Sequence, residues 1–298
     1  MSTSNESTIL MVGLAETGKT NFLVGLDVIL DKPVGRDGLC HSNRAADRSY
    51  VQTLRSKWLR GEEIGHSSRQ ASKPTHQLIL HHPASGTQAT FSIPDHYGET
   101  FDSQFITRSM QQDFVLQLKH AKGIILFLHC KDQADNELLD HPTFVQSTPI
   151  IKVSDEIPNR NNWIIDLACK QVKVVDILQF VAEIRETPLR VAVVISAWDL
   201  VEKAPANLTP KTPSSFIAKQ WPLLSQFLES NSKAFPFRFF GVSARGGGNT
   251  PEEIKRLMDL DDARERVIIV DGDHRSNDLT RPVRWLLGML DNMDPSNA

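Results

Sequence analysis

The sequence predicts an α/β layer fold, a mainly parallel six-stranded sheet flanked by helices in three layers. Three observations carry this expectation. Short apolar runs of strand length alternate with longer segments whose apolar residues recur at helical spacing. The first apolar run ends on a glycine-containing loop that opens an amphipathic helix. Composition is that of a globular chain, with 40% hydrophobic and 23% charged residues over 298 positions, enough to bury a sizeable core.

The elements follow in order. Segment 8–13 (TILMVG) reads as a buried first strand. A helix over 20–30 comes next, with Phe22, Leu23, Leu26, Ile29 and Leu30 on one face. Segments 76–82 and 88–95 read as a strand pair, because the turn-rich link 83–87 (PASGT) suits an antiparallel hairpin. Runs at 123–129, 189–196 and 237–243 supply three more strands, with helical patterns at about 168–186 and 214–230. Thr250-Pro251-Glu252-Glu253 marks a helix start, with a cap, a proline in the first turn and a glutamate three residues on. A final helix at about 280–292 opens near Thr280 and Pro282 and turns Val283, Leu286, Leu287 and Leu290 inward.

Three stretches exceed a minimal fold. Residues 33–72 form a long polar insertion with a helix expected at about 45–60, where Tyr50, Leu54 and Trp58 fall at helical intervals. Residues 131–162 read as a proline-containing loop, and 267–278 include a further short strand candidate, VIIVDGD. No repeat or linker divides the chain, so the expectation is one elaborated domain over residues 1–298.

Several function classes are set aside. A formal net charge of -3 gives no general attraction to nucleic acid or anionic membrane. Cys40, Cys130 and Cys169 are far apart and form no C-x-x-C pair, which suits a reducing compartment. The N-terminus is not a signal peptide, the apolar runs are too short to span a bilayer and no lipidation motif occurs, so a soluble cytoplasmic protein is expected. The adjacent pairs His81-His82, Cys40-His41 and His129-Cys130 lack zinc-ligand spacing, since neighbours on a strand face opposite ways. The acidic residues at 259–265 interleave with arginines and read as a solvated helix face.

Chemistry enters at 13–20. Gly13-Leu14-Ala15-Glu16-Thr17-Gly18-Lys19-Thr20 fits G-x-x-x-x-G-K-[ST]. Its glycines let the backbone curl so that successive N–H groups face one anion. Lys19 is positioned to reach β- and γ-phosphates and the Thr20 hydroxyl to coordinate Mg²⁺. The loop alone does not separate GTPases from ATPases or small-molecule kinases.

Asp95-His96-Tyr97-Gly98 has the form D-x-x-G at the end of the third strand. Here the chain resembles the Ras-like (TRAFAC-type) P-loop GTPase superfamily. That resemblance implies that Asp95 holds magnesium through water and that the Gly98 amide senses the γ-phosphate. Lys73-Pro74-Thr75, before the second strand, looks like the superfamily's switch I, in which Thr75 completes the magnesium shell. Ser196-Ala197-Trp198-Asp199 occupies the place of N/T-K-x-D, and by resemblance Asp199 accepts hydrogen bonds from the guanine N1 and N2 edge. Ser196 and Ala197 depart from that pattern, which weakens the expected grip on the base; Trp198 either covers the base or packs in the core. Gly241-Val242-Ser243-Ala244 resembles the S-A motif, so the backbone at Ser243 and Ala244 is expected to meet the guanine O6. The motifs occur in superfamily order over residues 8–292. A looser likeness to bacterial double-GTPase families rests on the long switch I insertion and the W-D pair. It implies another GTPase, or an effector in a bacterial signalling or defence system, as partner.

The resemblance places a water-positioning Gln or His after D-x-x-G, where this chain has Glu99. A carboxylate accepts a proton from water but stands near a γ-phosphate already rich in negative charge, so slow turnover is expected. His96 is an alternative orienting group. An arginine acting in cis from Arg36, Arg44, Arg48, Arg55, Arg60 or Arg69 is conceivable, as is charge from Lys73. The expected function is thus a regulatory GTPase using GTP/GDP and Mg²⁺. Its catalytic candidates are Lys19, Thr75, Gly98 and Glu99. The nucleotide-binding set is Gly13, Ala15, Glu16, Thr17, Gly18, Lys19, Thr20, Asp199, Ser243 and Ala244, and the metal set Thr20, Thr75 and Asp95. The rivals are a nucleotide-binding scaffold that hardly hydrolyses and a P-loop ATPase or kinase.

Overall fold

The computed structural model describes residues 7–33, 38–42, 49–62, 64, 76–93, 98–132, 169–205, 210 and 212–290, leaving aside the side chains at 49, 50, 76, 77, 92, 93, 98–100 and 102. Strand β1 (Ser7–Val12) leads through the glycine loop into helix α1 (Lys19–Asp31). The insertion contributes β2 (Cys40–His41) and α2 (Ser49–Leu59), the latter within the helix expected there. The hairpin β3 (His76–His81) and β4 (Gln88–Ile93) is antiparallel, as its turn-rich link predicts. Helices α3 (Gly98–Thr107) and α4 (Gln112–His120) then precede β5 (Ala121–His129).

Next among the described residues come α5 (Lys170–Ile184), β6 (Arg190–Ser196) and α6 (Trp198–Lys203). The helical stretch expected at 214–230 is two helices, α7 (Pro213–Gln220) and α8 (Pro222–Ser230). Pro222 is the cause: it lacks an N–H and disfavours helical geometry in the residue before it, so Trp221 caps one helix and opens the next. The chain closes with β7 (Phe237–Ser243), α9 (Pro251–Met258), a short 3₁₀ turn (Ala263–Arg266), the hairpin β8 (Ile268–Asp271) and β9 (His274–Ser276), and α10 (Arg281–Leu286). Thr250 caps α9 as its motif predicts, accepting the Glu253 N–H.

The sheet corrects the six-stranded expectation. It is a mixed sheet of nine strands in the order β2-β3-β4-β1-β5-β6-β7-β8-β9. Four neighbouring pairs are parallel (β1 with β4 and β5, β5 with β6, β6 with β7) and four are antiparallel. The expected six lie in its middle; β2 extends one edge and the β8–β9 hairpin the other.

Each central strand alternates its side chains between two cores. Ile9 and Met11, Ile125 and Phe127, and Ala192 and Val194 face α1 and α10; Leu10 and Val12, Leu126 and Leu128, and Val193 and Ile195 face α4, α5 and α8. Helix α1 is more buried than its one apolar face suggested. All of residues 22–30 are buried, because the insertion covers its outer side. Asp27 is buried there. It accepts from Arg55 of α2 at 3.0 Å and lies 3.5 Å from the imidazole of His41, while Arg55 also pairs with Asp31. A buried carboxylate is tolerated only with such partners, so this cluster ties the insertion to α1.

Candidate functional site

Parallel strands β1, β5, β6 and β7 deliver their C-terminal ends to one edge of the sheet, where α/β folds place ligands. The loop after β1 is a curled cradle. Gly13 has φ 151° and Gly18 φ 86°, and between them Glu16 holds the left-handed region at φ 62°. A Cβ on Gly13 would lie 2.7 Å from the Phe127 carbonyl oxygen, and one on Gly18 3.0 Å from Ser196 Cβ. The loop therefore sits directly on the ends of β5 and β6, and only glycine fits at both positions. Ala15 and Glu16 are exposed at its tip.

The Lys19 amine folds over the cradle. It donates to the carbonyls of Gly13 (2.8 Å) and Leu14 (2.5 Å) and approaches Thr17 Oγ1 at 3.3 Å, while Thr17 itself donates to Leu14 O at 2.9 Å. Burial pushes the lysine pKa down from 10.5 to about 8. A cation held by neutral carbonyls at a helix N-terminus is a group prepared for an anion. Thr20 stands in the first turn of α1, half-buried at the same mouth.

The β6 end carries the second half of the site. Ala197 adopts φ 55°, so the chain turns sharply into α6. The Cys130 thiol donates to Ala197 O at 3.3 Å; burial first, and then the charge of Asp199, push that thiol up to about 12. Asp199 is 6% exposed, and its Oδ1 accepts from Ser243 Oγ at 2.5 Å. Ser243 Oγ in turn accepts the Gly246 N–H at 3.1 Å, so the ends of β6 and β7 are joined through one carboxylate and one hydroxyl. Asp199 Oδ2 lies 3.8 Å from Lys203, whose closer partner is Glu253 at 2.9 Å. Each carboxylate oxygen accepts more than one hydrogen bond, so Asp199 retains capacity for a ligand. The Ser196 hydroxyl is buried beside Gly18 with no hydrogen-bond partner.

Trp198 resolves the alternative left by the sequence. It is 2% exposed, packs edge-to-face on Phe216 at 5.7 Å, and lies beneath Gly241, where an added Cβ would come within 2.3 Å of Cδ2. The indole is core packing and does not cover a base. Arg55 and Arg60 are likewise committed, to Asp27 and Asp31 and to Glu62. Arg36, Arg44, Arg48 and Arg69 lie outside the described residues.

The structure brings together Gly13, Ala15, Glu16, Thr17, Gly18, Lys19, Thr20, Asp199, Ser243 and Ala244 at one edge of the sheet. Gly98 and Glu99 open α3. Thr75, Asp95, Lys73 and His96 lie outside the described residues, as does most of 131–162. Among the described residues no group of three His, Cys, Asp or Glu could hold a metal ion, and no helix is long and apolar enough to cross a membrane. The sequence reading missed the Cys130 bond to Ala197, the seating of Trp198 on Gly241 and a bond from Arg245 to Gly61 O. Of these only the glycine in the middle of a strand pattern was a usable signal.

A family model described as Double-GTPase 1 matches residues 10–286. No curated protein matches the chain. Among solved structures, that of bacterial selenocysteine-specific elongation factor EF-Sec is 11% identical, covering 97% of this chain and 30% of that chain at a TM-score of 0.39. Methanosarcina barkeri Roco2 RocCORdC bound to GDP is 14% identical, covering 85% of this chain and 48% of that chain at a TM-score of 0.31. The chain thus spans under half the length of either.

Proposed function

The chain belongs to the Double-GTPase 1 family, and we propose that it binds GTP and GDP in the crevice between the 13–20 loop and the ends of β6 and β7. The single observation that carries this is the bond of 2.5 Å between Ser243 and Asp199, which holds a buried carboxylate at the end of β6, the strand end on which Gly18 sits. A purine reaching from the cradle to Asp199 would present an N1–H and an exocyclic amine if it is guanine. Adenine has no N1–H to offer.

The loop amides and Lys19 would hold the phosphates, with Ser243 and Ala244 facing the base. Thr20 fits a magnesium ion, since this cation takes few protein ligands beside phosphate oxygens; Asp95 and Thr75 are the other candidate ligands. When bound, the ion supplies charge neutralisation at the γ-phosphate. Hydrolysis would be in-line attack of water on that phosphate with GDP leaving, Lys19 and the loop amides stabilising the charge that develops. Gly98 is proposed to sense the γ-phosphate and Glu99 to face the attacking water. Turnover is proposed to be slow, because a carboxylate beside the γ-phosphate is a poor water-orienting group. The unpartnered Ser196 hydroxyl and the missing lysine at Ala197 favour a second reading, a nucleotide-binding scaffold that hardly turns over.

The nine strands of one continuous sheet support a single elaborated domain, and its insertions are the proposed docking place for a protein partner such as another GTPase. The test is titration calorimetry with GTP and, separately, ATP, each with Mg²⁺, on the wild type and Asp199→Ala. Tight GTP binding lost in the variant is the expected result. Equal binding of ATP, untouched by the substitution, would overturn the assignment of Asp199. Multiple-turnover phosphate release then separates the GTPase from the scaffold.

A further inference from the structure

Segment 243–246 follows β7 and, on the reading above, faces the guanine base. It is held from two sides. On one, Arg256 of α9 donates to Gly246 O at 2.7 Å. On the other stands the C-terminal end of α2, which belongs to the insertion between α1 and β3. Arg245 donates to Gly61 O just beyond α2, and Arg266 donates to Trp58 O within it. The Arg266 guanidinium lies 3.9 Å over the Trp58 ring.

Trp58 is fully buried, and both its indole and Ala244 are neighbours of Gly25 in α1. A Cβ placed on Gly25 of α1 would lie 3.4 Å from Ala244 O and 3.5 Å from Trp58 Cζ2. Helix α1 at Gly25 is therefore the common neighbour of the Trp58 indole of α2 and of the residue expected to face guanine O6. We propose that Trp58 and Arg245 are positioning residues for segment 243–246, so that the seating of α2 sets how long a guanine nucleotide stays bound.

The contact has the character of a latch that can open. Arg266 is 3% exposed, and its Nε and Nη1 have no hydrogen-bond partner. Burying a guanidinium on an aromatic ring and one carbonyl is costly, and withdrawal of α2 would return it to water. Anything that draws α2 away from α1 would thus release the base-facing segment without touching the phosphate cradle. The proposal rests on the assignment of a guanine nucleotide to this crevice.

The experiment measures dissociation of a fluorescent GDP from the full chain, alongside affinity for inorganic tripolyphosphate, which has no base. Arg245→Ala is expected to speed GDP release about tenfold, equivalent to about 1.4 kcal/mol, with tripolyphosphate affinity unchanged. Arg245→Lys, which keeps a donor for Gly61 O, should recover most of the residence time. Arg60→Ala, at an exposed pair with Glu62 beside Gly61, should leave it unaltered. An unchanged release rate in Arg245→Ala overturns the proposal, and so does equal weakening of GDP and tripolyphosphate, which would mark general loosening. Failure of the wild type to bind GDP at all would instead remove the assignment on which the proposal rests.

Discussion

On the proposed assignment, Lys19 makes nucleotide binding a proton-uptake reaction at alkaline pH. In the nucleotide-free chain burial lowers its pKa from 10.5 to about 8. The sign is fixed by that direction. Between about 8 and 10.5 the unfolded chain holds more protons than the folded one, so the nucleotide-free protein gains stability as pH rises through this window. A phosphate beside the amine favours the charged form and restores the pKa toward its ordinary value. With a bound value near 10.5, binding takes up about 0.1 proton at about pH 7 and about 0.75 at about pH 8.5. Affinity falls about fourfold over the same interval. Calorimetry of GDP in two buffers of different ionisation enthalpy reads the uptake directly. This range lies below the titration of guanine's own N1 proton, and Lys19→Arg, whose guanidinium keeps its proton throughout, should abolish the difference. Equal uptake at both pH values in the wild type, or the same rise in the arginine variant, would refute the argument.

Two further outcomes follow from packing. Gly241→Ala places a methyl 2.3 Å from the Trp198 ring and should cost about 1–3 kcal/mol. Thermal melting would show this as a lower Tm, partly restored by Trp198→Phe, and GTP affinity should fall as Asp199 shifts. Arg55→Ala leaves the buried Asp27 carboxylate short of its principal cation and should destabilise by about 3–5 kcal/mol in urea unfolding. Adding Asp27→Asn should recover more than half, and no recovery would mean that Arg55 acts through packing alone.

The 13–20 loop was legible because its geometry admits few residue types: Gly13 and Gly18 stand where a Cβ would strike Phe127 and Ser196. The central strands were legible because each buries alternate residues on two cores, giving continuous apolar runs. What escaped had no period to read. Strands β2 and β9 are two and three residues long, too short for any alternation, yet they extend the sheet at both edges. Helices α3 and α4 were not foreseen, because α4 buries only Phe114 and Leu118 and shows a narrow stripe. The break at Trp221 is written in the sequence as Pro222, which ends one helix and opens the next. The place of Trp198 was not decidable there, because it depends on Gly241, forty-three positions away and adjacent only through the β6–β7 register.

That register bears on how the loop proposed to read the base can dispense with the anchors of the superfamily pattern. Where the superfamily pattern has an Asn or Thr and a lysine, this chain has Ser196 with an unpartnered hydroxyl and Ala197 in a left-handed turn. For alanine that conformation costs roughly 1–2 kcal/mol, so something must hold it. Three contacts do. The Cys130 thiol bonds the Ala197 carbonyl, Trp198 is clamped between Phe216 and Gly241, and Ser243 fixes Asp199. All three come from β7, from the residue just after β5 or from the core beneath the loop. Asp199 is thereby oriented by the strands whose ends carry it. Its position should then respond to substitutions under the sheet end, such as Gly241→Ala, more strongly than to changes at Ala197 itself. On the proposed assignment, restoring a lysine there would add a stem above the base without moving the carboxylate.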